Sequence, residues 1–167
     1  MADKIFYFIR YFTFLGNFFP QFTLSILLLF IDFPTGFKVG ATWGWGVIIN
    51  FTIKNLVKKK RPNIGNWKIA HVNGHSFPSG HSLTSLVIYW SLAEQFQLGL
   101  AWTIFLYLIP FALGLSRLYL KVHDPIDVYA GWAIAFIYLR TLSDEAIAIT
   151  KPVFMFFFKL LGIEIDF

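Results

Sequence analysis

Apolar stretches closed by polar or helix-breaking clusters divide the whole of this sequence. The first runs from Lys4 to Gly16; Arg10 interrupts it and Gly16-Asn17 and Pro20 end it, so it fits either an interfacial helix or a short first span. A second, Phe22 to Phe33, closes at Asp32 and Pro34. Phe37 to Ile53 is a clearer span, about 25 Å of helix at 1.5 Å per residue. The segment Lys54 to Pro78 is polar and rich in breakers (Pro62, Asn63, Gly65, Asn66, Asn73, Gly74) and is expected to be a loop. A helix is expected from Ser79 to about Glu94, and a further span from Gly99 to Ser116 with Pro110 as a kink. A second polar stretch, Arg117 to Asp124, precedes a span that starts on Pro125 and runs to about Leu142. The tail, Ala146 to Gly162, is apolar apart from Lys151 and Lys159 and is expected at or partly in the membrane interface. The pattern predicts an all-α protein: one domain over residues 1–167, a polytopic transmembrane helical bundle of about five to six spans.

Two helices separate the two polar stretches. Two crossings return the chain to the face it left, so both stretches meet at one membrane face, and an active site is expected there. Charged residues at that depth are costly unless they serve a site.

Composition supports the membrane reading. The chain is 57% hydrophobic and 20% aromatic with 14% charged residues, where a soluble domain carries about 25% charged. Its 21 Phe and 6 Trp exceed what one small water-soluble core buries. The net charge of +5 is read as topogenic and interfacial, with no nucleic-acid partner. Yet Lys54, Lys58, Lys59, Lys60, Arg61 and Lys68 crowd into one connection, which points to a local anionic ligand. Without cysteine, disulfides, thiolate metal sites and cysteine nucleophiles are excluded. No small-residue cleavage site follows the N-terminal run, which is therefore read as retained.

Three clusters carry candidate chemistry. Lys54 and Arg61-Pro62 are seven residues apart, near two helical turns, so both cations share a face if the helix persists; the plain alternative is a stop-transfer basic patch. In Phe77-Pro78-Ser79-Gly80-His81, Ser79 is a good N-cap and Gly80 allows close backbone approach, so the first turn can hold an anion beside His81. No Gly-x-Ser-x-Gly elbow surrounds Ser79, which weighs against a serine nucleophile. The third cluster is Ser116-Arg117, His123 and Asp127. Asp127 is either a capping-box acid behind Asp124-Pro125 or the acceptor that fixes the tautomer of His123. Phosphoryl transfer needs cations, an in-line nucleophile and an acid for the leaving oxygen, and the set supplies each.

Lys54–Arg61-Pro62, Pro78-Ser79-Gly80-His81 and Ser116-Arg117–His123–Asp127 resemble the type 2 phosphatidic acid phosphatases, whose signature is Lys-x6-Arg-Pro, Pro-Ser-Gly-His and Ser-Arg-x5-His-x3-Asp. The match covers residues 54–127 without departure in identity, order or spacing. The resemblance implies a metal-independent lipid phosphate phosphatase with no cofactor. His123 would form a phosphohistidine, Asp127 would orient it, and His81 would protonate the leaving oxygen. Lys54, Arg61, Arg117, Ser79 and the Gly80 amide would hold the phosphate. It further implies a bacterial inner-membrane enzyme of the cell envelope, with a lipid phosphate as substrate and membrane lipids around it; no obligate protein partner is inferred. Lipid A 1-phosphate, undecaprenyl pyrophosphate, phosphatidylglycerol phosphate and phosphatidic acid all fit as substrates.

Rival readings compete with this one. A metal site of His71, His75, His81 and Asp124 is opposed by Asn73-Gly74, which breaks the helix needed to align the first two. The vanadate site of certain haloperoxidases has the same constellation, but the short apolar chain disfavours it. A lipid-to-lipid phosphotransferase would use the same residues, and a phospholipid carrier would need the cations but not His123 with Asp127. Orientation is contested: Lys58, Lys59, Lys60, Lys68 and Lys121 favour a cytoplasmic site, whereas the resemblance favours the periplasmic or outer face, the orientation adopted here.

Overall fold

The computed structural model describes residues 2–62, 67–69 and 72–163. Among them are seven α-helices and one 3₁₀ turn, and no strand. They run α1 (Ala2–Phe12), the turn (Thr13–Gly16), α2 (Phe18–Ile31), α3 (Phe33–Val57), α4 (Gly80–Gln95), α5 (Leu100–Tyr119), α6 (Pro125–Thr141) and α7 (Ser143–Leu160).

α4 is the axis, packed against α3, α5 and α6. Its small polar residues Ser82, Thr84, Ser85 and Ser91 are buried, as are Leu83, Val87 and Ile88. α6 approaches closely because Gly131 has no side chain: a Cβ there would stand 2.9 Å from the Ser79 carbonyl oxygen. Hydrogen bonds tie the helices where packing alone would not fix them. Gln21 of α2 donates to Ser85 Oγ (2.8 Å) and accepts from Trp43 Nε1 (2.8 Å), and Tyr138 of α6 donates to the Thr42 carbonyl (2.9 Å). Hydrogen bonds of this kind between helices help to hold their register. The outward surface is apolar and aromatic: Phe19, Phe30, Leu100, Trp102 and Phe111 are all exposed.

Among the described residues only α5 is by itself long and apolar enough to cross a bilayer; α1 with the turn and α2 form a second candidate, bent by 51° at the break. Length and hydropathy alone therefore do not reach the expected five to six spans. The reason is local. α4 and α6 have 16 and 17 residues, and α4 carries polar groups, which it buries against its neighbours. The Lys4–Gly16 run is a helix and a 3₁₀ turn, and the tail is α7, which docks on α3 through Trp45 Nε1 donating to Thr150 Oγ1 (2.9 Å) and Phe37 against Phe154.

The loop expected from Lys54 begins one turn later. α3 continues to Val57 and stops on Lys58, whose backbone is left-handed at φ 51°. The helix therefore does not persist to Arg61, and the condition on which Lys54 and Arg61 would share a helical face is not met. Those two cations are brought together by the chain folding back.

Candidate active site

Both polar connections meet at the end of the bundle where α3 finishes and α4 and α6 begin. The Ser79 amide donates to the Asp127 carbonyl (2.9 Å), the Ser76 amide to the Lys59 carbonyl (2.9 Å), and Arg61 Nη1 to the Val122 carbonyl (3.1 Å).

The imidazole of His123 lies buried between opposite charges. Its Nε2 is 3.2 Å from Arg61 Nη1. A guanidinium only donates, so Nε2 offers its lone pair and the ring proton sits on Nδ1. That nitrogen faces Asp127 Oδ2 at 3.4 Å, without the alignment of a formed hydrogen bond. Such contacts tighten once substrate is bound. Burial holds the pKa of His123 down at about 4, with Asp127 opposing and the Arg61, Arg117 and Lys54 charges assisting. That keeps the ring neutral at physiological pH, with a lone pair free on one nitrogen.

Asp127 combines the two roles weighed from sequence. Its Oδ2 accepts from the Asp124 amide (3.1 Å), closing a capping box at the start of α6. The same oxygen faces His123. Oδ1 accepts from Lys59 Nζ (2.7 Å), which also reaches Asp124 Oδ2 (2.7 Å). Burial works against the charge on Lys59, but these two hydrogen bonds win and hold its pKa above the usual lysine value.

The remaining cations have no carboxylate partner among the described residues. Lys54 Nζ donates to the His75 carbonyl (2.8 Å) and, at 3.5 Å, to that of Ser76. Arg61 spans the carbonyls of Asn73 (3.0 Å), Gly74 (3.1 Å) and Val122. Arg117 is buried, 4% exposed; Nη1 donates to Thr13 Oγ1 (3.2 Å) and Nε has no partner. His81, on the first turn of α4, lies within electrostatic reach of Arg117, Arg61 and His123, and its Nε2 is also unpartnered. Ser79 Oγ caps α4 by accepting from the Ser82 amide (3.4 Å) and keeps its own proton to donate. Gly80 sits beside Asn50, whose Oδ1 would be 3.3 Å from a Cβ there.

Three neighbours were not singled out from the sequence. Lys59 was legible only as part of a basic run. Asn50, buried with Nδ2 unpartnered, stands one turn before Lys54 on α3, and that spacing was an available signal. Thr13 lies 104 residues from Arg117 and gave none. Of the metal-site candidates, His71 lies outside the described residues. Among the described residues no group of three or more His, Asp or Glu side chains is gathered as ligands. An apolar cavity of about 310 Å³ lies elsewhere, between α2, α3 and α7, bordered by Phe22, Gly40, Trp43 and Phe154.

The sequence profile of the PAP2 superfamily matches residues 35–144. Phosphatidylglycerophosphatase B of Bacillus subtilis is 28% identical over 127 residues, 71% of this chain; the match spans only 57% of that protein's own length. Two crystal structures share the fold. The first transmembrane PAP2 type phosphatidylglycerolphosphate phosphatase from Bacillus subtilis superposes with a TM-score of 0.68 at 21% identity, over 89% of this chain and 78% of that one. Aquifex aeolicus LpxE gives 0.67 at 26% identity, over 80% of this chain and 81% of its own.

Proposed function

The chain belongs to the PAP2 superfamily, and we propose that it is an integral membrane lipid phosphatase acting through a phosphohistidine on His123. One observation carries this reading. The buried carboxylate of the site is already neutralised by Lys59, while Lys54, Arg61 and Arg117 stand within electrostatic reach of one another without a carboxylate partner among the described residues. Arg117 is buried and Lys54 and Arg61 are half-buried, and taking cations even partly out of water is costly unless something pairs with them. A phosphate dianion supplies that charge, and the lone pair of His123 Nε2 points into the same cluster.

In the proposed reaction the phosphate displaces Arg61 from Nε2, and Nε2 attacks phosphorus as the ester oxygen leaves. The bound dianion favours the imidazolium form of His81, which gives its proton to that oxygen. The phosphorylated His123 ring keeps its proton on Nδ1, toward Asp127. Water, deprotonated by the now neutral His81, then attacks phosphorus and releases inorganic phosphate. Lys54, Arg61, Arg117, the Ser79 hydroxyl and the Gly80 amide hold the phosphoryl oxygens throughout; losing one such contact typically costs about 10²–10³ in rate.

α2 to α6 are read as the membrane-crossing helices, α1 as an amphipathic helix at the interface on the site's side, and α7 as a flanking helix. The bacterial inner membrane with the site on its outer face is the proposed location. Substrate candidates are phosphatidylglycerol phosphate, phosphatidic acid, lipid A 1-phosphate and undecaprenyl pyrophosphate. Detergent-solubilised protein assayed for phosphate release from this panel tests the reading. Release that disappears in His123→Ala is expected. Binding of these lipids without release would make the protein a carrier, and transfer of label to an acceptor lipid would make it a phosphotransferase.

A further inference from the structure

We propose that the 3₁₀ turn Thr13–Gly16 is a positioning element of the active site, in which Thr13 aims the Arg117 guanidinium and Gly16 sets the place of the His81 ring. The turn lies outside residues 35–144, the span matched by the family profile, yet it touches residues of two motifs. Thr13 Oγ1 accepts from Arg117 Nη1 (3.2 Å) and is 2.9 Å from Ser116 Oγ, which is anchored 2.6 Å from the Leu113 carbonyl. That contact is the one hydrogen bond the Arg117 side chain makes among the described residues, because its Nε has none. The orientation of a buried, otherwise unheld cation therefore depends on this hydroxyl.

Gly16 meets the other motif. A Cβ at this position would stand 2.5 Å from Cδ2 and 3.1 Å from Cγ of His81. The bare Cα is what lets the turn lie on the ring edge next to Nε2, the atom that has no protein partner. Both contacts are made at the break. The chain bends by 51° between the Lys4–Gly16 and Phe18–Ile31 segments, and the bend puts the buried pair Thr13 and Gly16 on the site. Non-helical backbone at membrane depth is tolerated where it is buried in protein or lines a cavity.

This inference rests on the phosphatase reading for its kinetic arm but not for its binding arm. For binding, vanadate affinity is read from the thermal shift of the detergent-solubilised full chain, for wild type, Thr13→Val and Thr13→Ser. Thr13→Val is expected to weaken vanadate binding about 10-fold, the scale of one hydrogen bond to a charged group, while Thr13→Ser stays within about 2-fold. For kinetics, Gly16→Ala is assayed on an alkyl lipid phosphate and on p-nitrophenyl phosphate. A displaced acid harms the poor alkyl leaving group most, so the ratio of the two rates should fall at least about 10-fold. That ratio and the affinity do not depend on how much of a variant is folded. Equal affinity of Thr13→Val and wild type overturns the role of Thr13, and an unchanged rate ratio in Gly16→Ala overturns that of Gly16. Wild-type protein that binds vanadate but releases no phosphate defeats the hydrolase reading while the binding arm still decides on Thr13. Wild-type protein that binds no vanadate defeats the anion cage and this proposal with it.

Discussion

Lys59 Nζ stands 2.7 Å from Asp127 Oδ1, so the fully buried carboxylate of the site is neutralised from within the chain. The partition of charge follows from this pair. One lysine pairs with the carboxylate that faces His123, and the three cations of the signature have no carboxylate partner among the described residues. A lysine read as part of a topogenic run is thereby also part of the site's architecture.

Removing Lys59 should leave Asp127 as a buried charge short of a partner. Such losses cost about 3–5 kcal/mol in a closed interior, but the Lys59 side chain is 30% exposed and part of that is screened. We expect Lys59→Met to cost about 1–2 kcal/mol, a drop of a few degrees in thermal midpoint. The double variant with Asp127→Asn should lose less than the sum of the two singles. Strict additivity in that cycle would show that the pair does not couple.

Asp127→Asn should fail in both rate and stability, since Asp127 holds the cap, Lys59 and His123 together. A turnover loss of at least about 10²-fold is expected; the analogous change in the serine-protease triad costs about 10⁴. A stability loss of about 1–2 kcal/mol should accompany it, the sum of a weakened cap and a lost ion pair. A variant that melts lower yet turns over normally would reduce Asp127 to its capping role.

Arg117 should show the opposite trade. It is a buried cation with no carboxylate partner among the described residues, so replacement by an apolar side chain of similar length relieves an unpaired charge. Arg117→Met is expected to lower turnover about 10²–10³-fold while its thermal midpoint stays level or rises. Vanadate should raise the midpoint of wild type and much less that of the variant, because ligand binding stabilises by mass action. A strongly destabilised Arg117→Met would mean the guanidinium serves the fold.

The pH behaviour of His123 has a definite sign. An unfolded histidine titrates near 6.5, and burial holds this one at about 4 in the folded chain. As pH falls from 6.5 toward 4 the unfolded state takes the proton first, so stability present above pH 6.5 is progressively lost. The thermal midpoint of wild type should therefore decline across this window more steeply than that of His123→Asn. For the same reason kcat/KM should show no acid limb from the nucleophile between pH 5 and 7; any limb near 6 belongs to the second ionisation of the substrate phosphate. Parallel midpoint curves for the two proteins would refute the depressed value. Label from radioactive substrate should be trapped on wild type in an acid-labile, base-stable form and be absent from His123→Ala.

The sequence by itself determined the helical class, the three clusters and their meeting at one face. Each of these rests on local rules: apolar run length, the serine cap ahead of His81, the Asp124-Pro125 helix start, and the parity of two helices between two polar stretches. Even the two readings of Asp127 were visible, because a capping box is written in four consecutive residues. Only the tertiary structure decided how the charges pair. Lys54 and Arg61 converge because Lys58 turns the chain back in a left-handed conformation, which periodicity does not encode. Lys59 takes Asp127 instead of marking orientation alone, and Thr13 reaches Arg117 from beside a helix break whose place was legible but whose contacts were not. Hydrogen bonds and ion pairs depend on side-chain tips meeting within about 3 Å, and two tips more than a hundred residues apart are brought that close only by the packing of whole helices.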